Sequence, residues 1–331
     1  MQISVIMPLY NASHFLPLVL PPLMDMKNRG EILEVIVVDD LSTDGSAAIA
    51  ADLGANVIPS TSRAGPGAAR NIGSREAAGD ILWFIDSDVI AHEDAARKML
   101  QAFQSTGATA AFGSYDDEPA ATNFMSQYKN LIHHYYHQKA KQQASTFWSG
   151  CGAVLKKRFL EVDGFDIVRY PRPAIEDIEL GYRLRAAGGE IILVHDLLAK
   201  HLKHWTLAGA VHTDIFSRAI PWSRLLVTQA GVTDDLNVSK GEQARAVLAG
   251  LVFASTLLIF LGWTYLLAPV ALMAVAIIAN WDLFRFFLRR KGLMFAVGAL
   301  AFHQLYYVYS SVAYAYCWFE AKLFSKSKKN T

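Results

Sequence analysis

Two hydrophobic periods alternate along the first hundred residues. Short continuous apolar runs stand at 3–7 (ISVIM), 34–38 (EVIVV), 55–59 (ANVIP) and 81–85 (ILWFI). Between them, segments with helical spacing fall at 13–27, 45–53, 68–78 and 93–103. Apolar runs of about five residues between helices are the pattern of parallel strands covered on both faces. The expectation is a doubly wound α/β sheet. In such sheets ligands bind beyond the carboxyl ends of the strands. Pro8 closes the first run, with Tyr10 and Asn11 just after it; Asp39 and Asp40 follow the second run, and Asp86, Ser87 and Asp88 follow the fourth. These residues are therefore expected along one edge of one sheet.

The pattern is less regular from 104 to 150. GATAAFGSYDD (107–117) holds a candidate strand, and NFMSQYKNLIHHYYHQKAKQQ (123–143) reads as a polar-aromatic helix. IEDIELGYRLRAAGG (175–189) reads as a helix with acids in its first turn and glycines at its end, as start and stop signals predict. EIILV (190–194) is the next strand and leads into HDLLAKHLKHW. A first domain is expected over 1–210. The stretch 211–244 mixes Phe216, Ile220, Trp222 and Leu225 with Arg218 and Arg224, as an amphipathic interface segment does.

Residues 245–320 are almost wholly apolar or aromatic. The segment 246–268 is long enough for the ~20 residues that cross a ~30 Å hydrocarbon core. A second apolar stretch covers 269–287 and ends at Arg289, Arg290 and Lys291; a third covers 293–319, and 321–331 is a basic tail. The expectation is two to three transmembrane helices, with the arginine cluster on the cytoplasmic side. A third span would place the basic tail outside, against the same rule, so the number of spans stays open.

Composition adds limits. Apolar residues make up 53% of 331, and the excess lies in this C-terminal part. A formal charge of +1 gives no general attraction to nucleic acid. Cys151 and Cys317, the only cysteines, offer neither a disulfide framework nor a metal knuckle. No basic n-region or small-residue cleavage site precedes ISVIM, so the first domain is expected in the cytoplasm, on the inner face of what is expected to be a bacterial inner membrane.

One ordered set of motifs points to chemistry: MPLYN, VVDDLSTDG, RAGPGAARNIG, DSD and, far downstream, IED. In this order and spacing it resembles glycosyltransferase family 2 over about residues 1–205. The resemblance implies a GT-A type, nucleotide-sugar-binding mixed α/β sheet flanked by helices. It implies donor contacts from Pro8, Tyr10, Asn11, Asp39, Asp40, Arg70, Asp86, Ser87 and Glu176. It implies metal binding by Asp88 and His201, with His204 a close competitor, and a catalytic base at Asp177. Trp148, Ser149 and Gly150 are similar to the family's acceptor loop. Where the family usually reads DDGSTD this chain has Leu41 in place of glycine, which puts the shape of that turn in question.

The residue types suit that chemistry. Mg²⁺ or Mn²⁺ takes oxygen ligands and neutralises the charge that grows on a departing diphosphate. A carboxylate such as Asp39 can accept from a base N–H. A carboxylate at a helix start is held ionised, as a base that deprotonates an acceptor hydroxyl requires. Bland alternatives stand beside these: Asx turns around Ser42 to Asp44, an ordinary salt bridge for Arg70, helix-end stabilisation by Glu176 and Asp177, and a surface histidine at 201. His133 and His137 have a zinc-compatible spacing but no acidic or cysteine partner pattern. The Q-x-x-R-W motif of processive polymer synthases is absent.

The expectation is a membrane-anchored, metal-dependent, inverting glycosyltransferase. Its donor would be a nucleotide sugar, UDP favoured on family frequency, and its acceptor a lipid or polyprenyl phosphate. The alternative is a membrane scaffold that binds nucleotide sugars without catalysis.

Overall fold

The computed structural model describes residues 1–230 and 239–327. The part of the expected linker at 231–238 and the end of the basic tail from 328 lie outside the described residues. Two compact units divide between Trp205 and Thr206, close to the expected boundary at 210.

The first unit runs β1 (Ile3–Leu9), α1 (Leu16–Asn28), β2 (Glu34–Asp39), α2 (Ser46–Asp52), β3 (Asn56–Pro59), α3 (Gly65–Glu76), β4 (Ile81–Ile85), β5 (Val89–Ala91), α4 (Ala95–Thr106) and β6 (Ala110–Tyr115). It continues with α5 (Phe124–Lys139), β7 (Gln143–Ala144), β8 (Cys151–Leu155), α6 (Lys156–Glu161), α7 (Glu176–Ala186) and β9 (Ile191–His201). The strands form one sheet in the order β3-β2-β1-β4-β8-β6-β9-β5, with β7 beside β9.

The doubly wound expectation holds for half of it. β3, β2, β1 and β4 are parallel. Beyond β4 the sheet is mixed: β8 is antiparallel to β4 and to β6, β6 is parallel to β9, and β5 is antiparallel to β9.

The apolar runs are continuous because both faces of the sheet are covered. Ile3, Val5, Met7 and Leu9 of β1 join Leu16, Val19 and Leu20 of α1 and Met99 and Phe103 of α4 on one face. Ile6 joins Ala69 of α3, Phe84, Phe165 and Leu180 of α7 on the other. Alternate residues therefore serve two cores. Phe84 has Phe159 and Phe165 at 5.4 and 5.3 Å between ring centroids. Its truncation to alanine would cost about 3–5 kcal/mol. That same aromatic group lies beneath the site described below.

The second unit, beginning at Thr206, is helical. It comprises α8 (Leu207–His212), a π-helical stretch at Thr213–Ala219, α9 (Ile220–Leu225), α10 (Lys240–Thr256), 3₁₀ turns at Leu257–Leu261 and Trp263–Leu266, α11 (Leu267–Ala279), α12 (Trp281–Lys291) and α13 (Leu293–Ser327). The first two expected spans are not realised as continuous helices, whereas the third lies within α13. The first is interrupted at Gly262, whose φ of 151° leaves the helical region. The second breaks at Asn280. Among the described residues no single helix is long and apolar enough to cross a membrane. One bent pair, Trp263–Ala279 with Trp281–Lys291, is long and apolar enough by length and composition alone, with an angle of 70° between its parts. The 35-residue α13 is long enough, but His303, Gln304 and several tyrosines interrupt its apolar run.

Candidate active site

The strand ends bring the predicted residues together at the carboxyl edge of the parallel strands. β1 and β2 are in register with Leu9 opposite Asp39, so Tyr10 and Asn11 lie beside Asp40. β4 ends at Ile85 opposite Cys151 of β8, which sets Asp86 beside the 148–150 loop; the Asp86 N–H points to the Gly150 carbonyl at 3.4 Å. β9 runs to His201 and pairs there with Val89. The short β5 thus draws Asp88 to His201, and the Leu202 N–H donates to the Asp88 carbonyl at 2.9 Å.

Arg70 organises the acids. From the buried face of α3 its Nη2 donates to Asp86 Oδ1 at 2.5 Å, and its Nη1 lies 3.5 Å from Glu176 Oε1. The arginine side chain is 4% exposed and that of Glu176 8%. Its guanidinium also lies 5.4 Å from the centre of the Phe165 ring. The residue expected to reach the donor is turned inward onto two carboxylates, and the bridge is buried, where an ordinary surface salt bridge was the bland alternative. Asn71, next on α3, clamps the loop that holds Phe165. It donates to the Phe165 carbonyl at 2.8 Å and accepts from its N–H at 2.9 Å.

The DSD acids are pushed apart electrostatically. Burial raises the Asp86 carboxyl above its ordinary range; Arg70 opposes this without cancelling it, and Asp88 adds to it. Burial raises Asp88 too, but the hydrogen bond and charge of His201, with Lys203, outweigh it and hold Asp88 below its ordinary value. Glu176 is raised, by burial first and then by Asp177.

His201 rather than His204 faces the acids. Its Nε2 is 3.6 Å from Asp88 Oδ2, and its ring stacks on Tyr115 at 4.3 Å and 7°. His204 is exposed. Among the described residues no group of three or more His, Cys, Asp and Glu side chains is arranged to hold a metal ion. A carboxylate and an imidazole side by side nonetheless suit Mn²⁺ or Mg²⁺ when oxygens of a bound diphosphate complete the shell. The donor set fits a shared ion.

Asp177 opens α7. Its Oδ2 accepts from the Ser149 N–H at 3.1 Å and the Ser149 hydroxyl at 3.3 Å, while Oδ1 accepts from the Ile178 N–H at 2.9 Å. Gly150 is required beside it, because a Cβ there would lie 2.5 Å from the Trp148 ring.

The residues at the first two strand ends are occupied with one another. Asp40 accepts from the N–H groups of Ala64 and Gly65, both at 2.9 Å, and so fixes the start of α3. Gly65 has a φ of 82°, and a Cβ would meet the Pro171 carbonyl at 3.0 Å. Asp39 accepts from the Ser42 N–H at 3.1 Å. Asn11 accepts from the Thr43 N–H at 2.8 Å. Asp44 accepts from the N–H groups of Ser13 and Ser46 at the start of α2, as the Asx-turn alternative foresaw. Leu41 keeps the left-handed turn at φ 63° without being glycine. Pro8 is buried within β1, and Ser87 is half-buried between the two acids.

Sequence reading missed two partners. Arg63 lies over the Tyr10 ring, 3.8 Å from its centre. Tyr115 supplies the platform for His201. Neither has a signal in the chain, since each contact joins separate elements. The His133–His137 pair belongs to that platform's underside: the two rings are 3.9 Å apart, and His133 lies 4.4 Å from Tyr115 and 4.6 Å from Trp148.

Residues 4–164 match the family described as Glycosyl transferase family 2. Among curated relatives, an uncharacterized glycosyltransferase of Haemophilus influenzae is 33% identical over 118 residues, covering 34% of this chain and 46% of that protein. Glycosyltransferase GlyG of Streptococcus pneumoniae is 30% identical over 118 residues, covering 34% and 38%. The matches thus span less than half the length of these relatives. Among solved structures, the mannosyltransferase PcManGT of Pyrobaculum calidifontis, in complex with GDP-Man and Mn²⁺, aligns over 95% of this chain and 87% of its own with a TM-score of 0.54 at 18% identity. Residues 1–349 of Staphylococcus aureus TarS align over 76% and 80% with a TM-score of 0.50 at 18% identity. The mixed sheet with flanking helices is the GT-A fold.

Proposed function

We propose that this chain is a glycosyltransferase of the family its first half matches, inverting and metal-dependent, with a nucleotide-sugar donor and a membrane-associated acceptor. One observation carries the reading. The Arg70 bridge, the Asp88–His201 pair and the Asp177–Ser149 pair meet at one sheet edge, on elements far apart in sequence.

Asp88 and His201 would hold the divalent ion, which supplies charge neutralisation for the departing nucleoside diphosphate. Arg70 acts as a positioning residue: it holds Asp86 and Glu176 so that both carboxylates face the site at fixed places. Asp177 takes the proton of an acceptor hydroxyl as that oxygen attacks the anomeric carbon. Three hydrogen bonds to its carboxylate fix its direction. Ser149 and Trp148 border the acceptor side. A phosphate acceptor arrives already ionised and needs no such base.

Support for a nucleotide-sugar donor and divalent ion also comes from the bound state of the Pyrobaculum neighbour. The membrane reading rests on the large exposed apolar side chains of the second unit, among them Phe260, Trp263 and Leu267. The basic cluster at Arg289–Lys291 favours a cytoplasmic face for the helices that carry it.

The test is donor binding by the purified full chain, followed as a thermal shift against UDP-, GDP- and dTDP-sugars with Mn²⁺ or with EDTA. A metal-dependent shift with one nucleotide, lost in Asp88→Ala, is expected. Folded protein that responds to none of them would overturn the reading.

A further inference from the structure

The helices of the second unit meet at one polar level. Arg245 near the start of α10 donates to Glu242 at 2.6 Å and to Asp282 of α12 at 3.2 Å. The Tyr307 hydroxyl of α13 donates to the same Glu242 at 2.5 Å and to Asn280, between α11 and α12, at 3.3 Å. The chain therefore leaves this level in α10 and returns to it at the end of α11.

Nothing between those two points is charged: residues 246–281 contain no Asp, Glu, Lys, Arg or His. Ser255 and Thr256 return their hydroxyls to carbonyls of their own helix, at 2.7 and 2.6 Å. At the apex, around Gly262, Phe260 is 88% and Trp263 83% exposed. Such side chains need an apolar surrounding, and the apex has no charged group to place in water.

Length decides how far the hairpin reaches. Trp263–Leu266 at about 2.0 Å per residue and Leu267–Ala279 at about 1.5 Å make a returning arm of about 28 Å at most. That is at the lower limit of what crosses the ~30 Å hydrocarbon core, and only when fully upright. α12 then turns 70° away from this arm. With the arm near the membrane normal, α12 lies closer to the membrane plane. It carries Arg285 and Arg289 opposite the buried Leu283 and Phe287, with Arg290 and Lys291 exposed at its last turn, as an interfacial helix with a basic end does. α13 runs back along it, with Phe287 against Phe295 (5.7 Å) at one end and Asn280 against Tyr307 at the other.

We propose that residues 246–279 form a re-entrant hairpin, which enters a phospholipid bilayer and returns to the same face, where α12 and the first half of α13 lie along the headgroups. The partner is the acyl layer, with anionic headgroups for the arginines. This rests on the membrane reading above and replaces two spans with none in this segment.

Single cysteines test it. In a Cys151→Ala, Cys317→Ser background, Ala244→Cys and Lys291→Cys mark the base and Trp263→Cys the apex. The full chain is reconstituted into vesicles of phosphatidylethanolamine and phosphatidylglycerol in equal amounts and treated with a membrane-impermeant maleimide from each side. Both base positions should label from the same face, and the apex only after detergent. Apex labelling from the face opposite Ala244→Cys would establish spanning helices and overturn the proposal. Apex labelling in sealed vesicles from the same face would put the apex in water and overturn it equally. Leu261→Cys repeats the apex measurement in case Trp263→Cys misfolds, and a cooperative thermal unfolding transition in the absence of donor verifies folding. A protected apex without any donor shift would sink the enzymatic reading and leave the hairpin standing; the reverse would sink the hairpin alone.

Discussion

Asp177 and Ser149 are bound twice over: one carboxylate oxygen accepts both the backbone N–H and the hydroxyl of the serine, at 3.1 and 3.3 Å. The contact joins the start of α7 to the loop before β8, 28 positions apart in sequence. It fixes the direction of a carboxylate at the sheet edge.

Asp177→Asn should therefore keep donor binding and lose transfer to a hydroxyl acceptor by about 10³-fold, within the range for a general base. With a phosphate acceptor the loss should be small. Ser149→Ala removes only the hydroxyl bond and should lower kcat about tenfold. Near-complete activity of Asp177→Asn on a hydroxyl acceptor would remove the base assignment.

The proposed ion site predicts a split between two histidines. His201→Ala should raise the Mn²⁺ concentration needed for half-maximal donor binding at least tenfold, a loss of about 1.4 kcal/mol. His204→Ala, at an exposed position, should leave the titration unchanged. The reverse order would move the ligand to 204.

Arg70 predicts a stability effect. Replacing it with methionine leaves Glu176 buried with the Ala174 N–H but no cation, and takes the guanidinium from Asp86. Loss of one partner from a buried ion pair costs about 3–5 kcal/mol; because the Asp86 side chain is 33% exposed, about 2–4 kcal/mol is expected here. Urea unfolding measures it, and a change below about 0.5 kcal/mol, the size typical of surface sites, would contradict the bridge's role.

Leu41 holds a left-handed conformation at φ 63° with its side chain 46% exposed. Leu41→Gly relieves backbone strain and gives up little burial. After the added entropy of the unfolded chain, a stabilisation of about 0.5–1 kcal/mol is expected in the same unfolding measurement. A clear destabilisation would mean that the leucine side chain makes a contact worth more than the strain.

Asp44 predicts a pH dependence. Hydrogen bonds from Ser46 and Ser13 hold its carboxyl well below the ordinary 3.8, against a smaller effect of burial. A depressed folded-state pKa stabilises the fold fully above the unfolded value and ceases to do so as pH falls through the folded one. The Tm difference between the wild type and Asp44→Asn should be constant near neutrality and shrink below pH 3.8. A gap that stays constant down to the acid transition would show that charge plays no part.

The chain alone determined the parallel half of the sheet, because strands buried on both faces must be apolar at every position, and it placed Asp39, Asp40, Asp86 and Asp88 at strand ends. It also marked Glu176 and Asp177 as a helix start and 246–319 as a largely apolar and aromatic stretch. Tertiary structure decided the rest. β9 extends to His201 because β5 and β6 flank it, and that pairing, invisible in local periodicity, brings His201 and not His204 beside Asp88. Arg70 turns inward because Asp86 and Glu176, on elements far apart in sequence, converge on it only in the fold. Asp40 is taken up by the backbone of Ala64 and Gly65 for the same reason. In the second unit, hydropathy measured the length of apolar chain but not its direction. The breaks at Gly262 and Asn280, and the Arg245–Asp282 pair that closes the hairpin, exist only where helices distant in sequence meet.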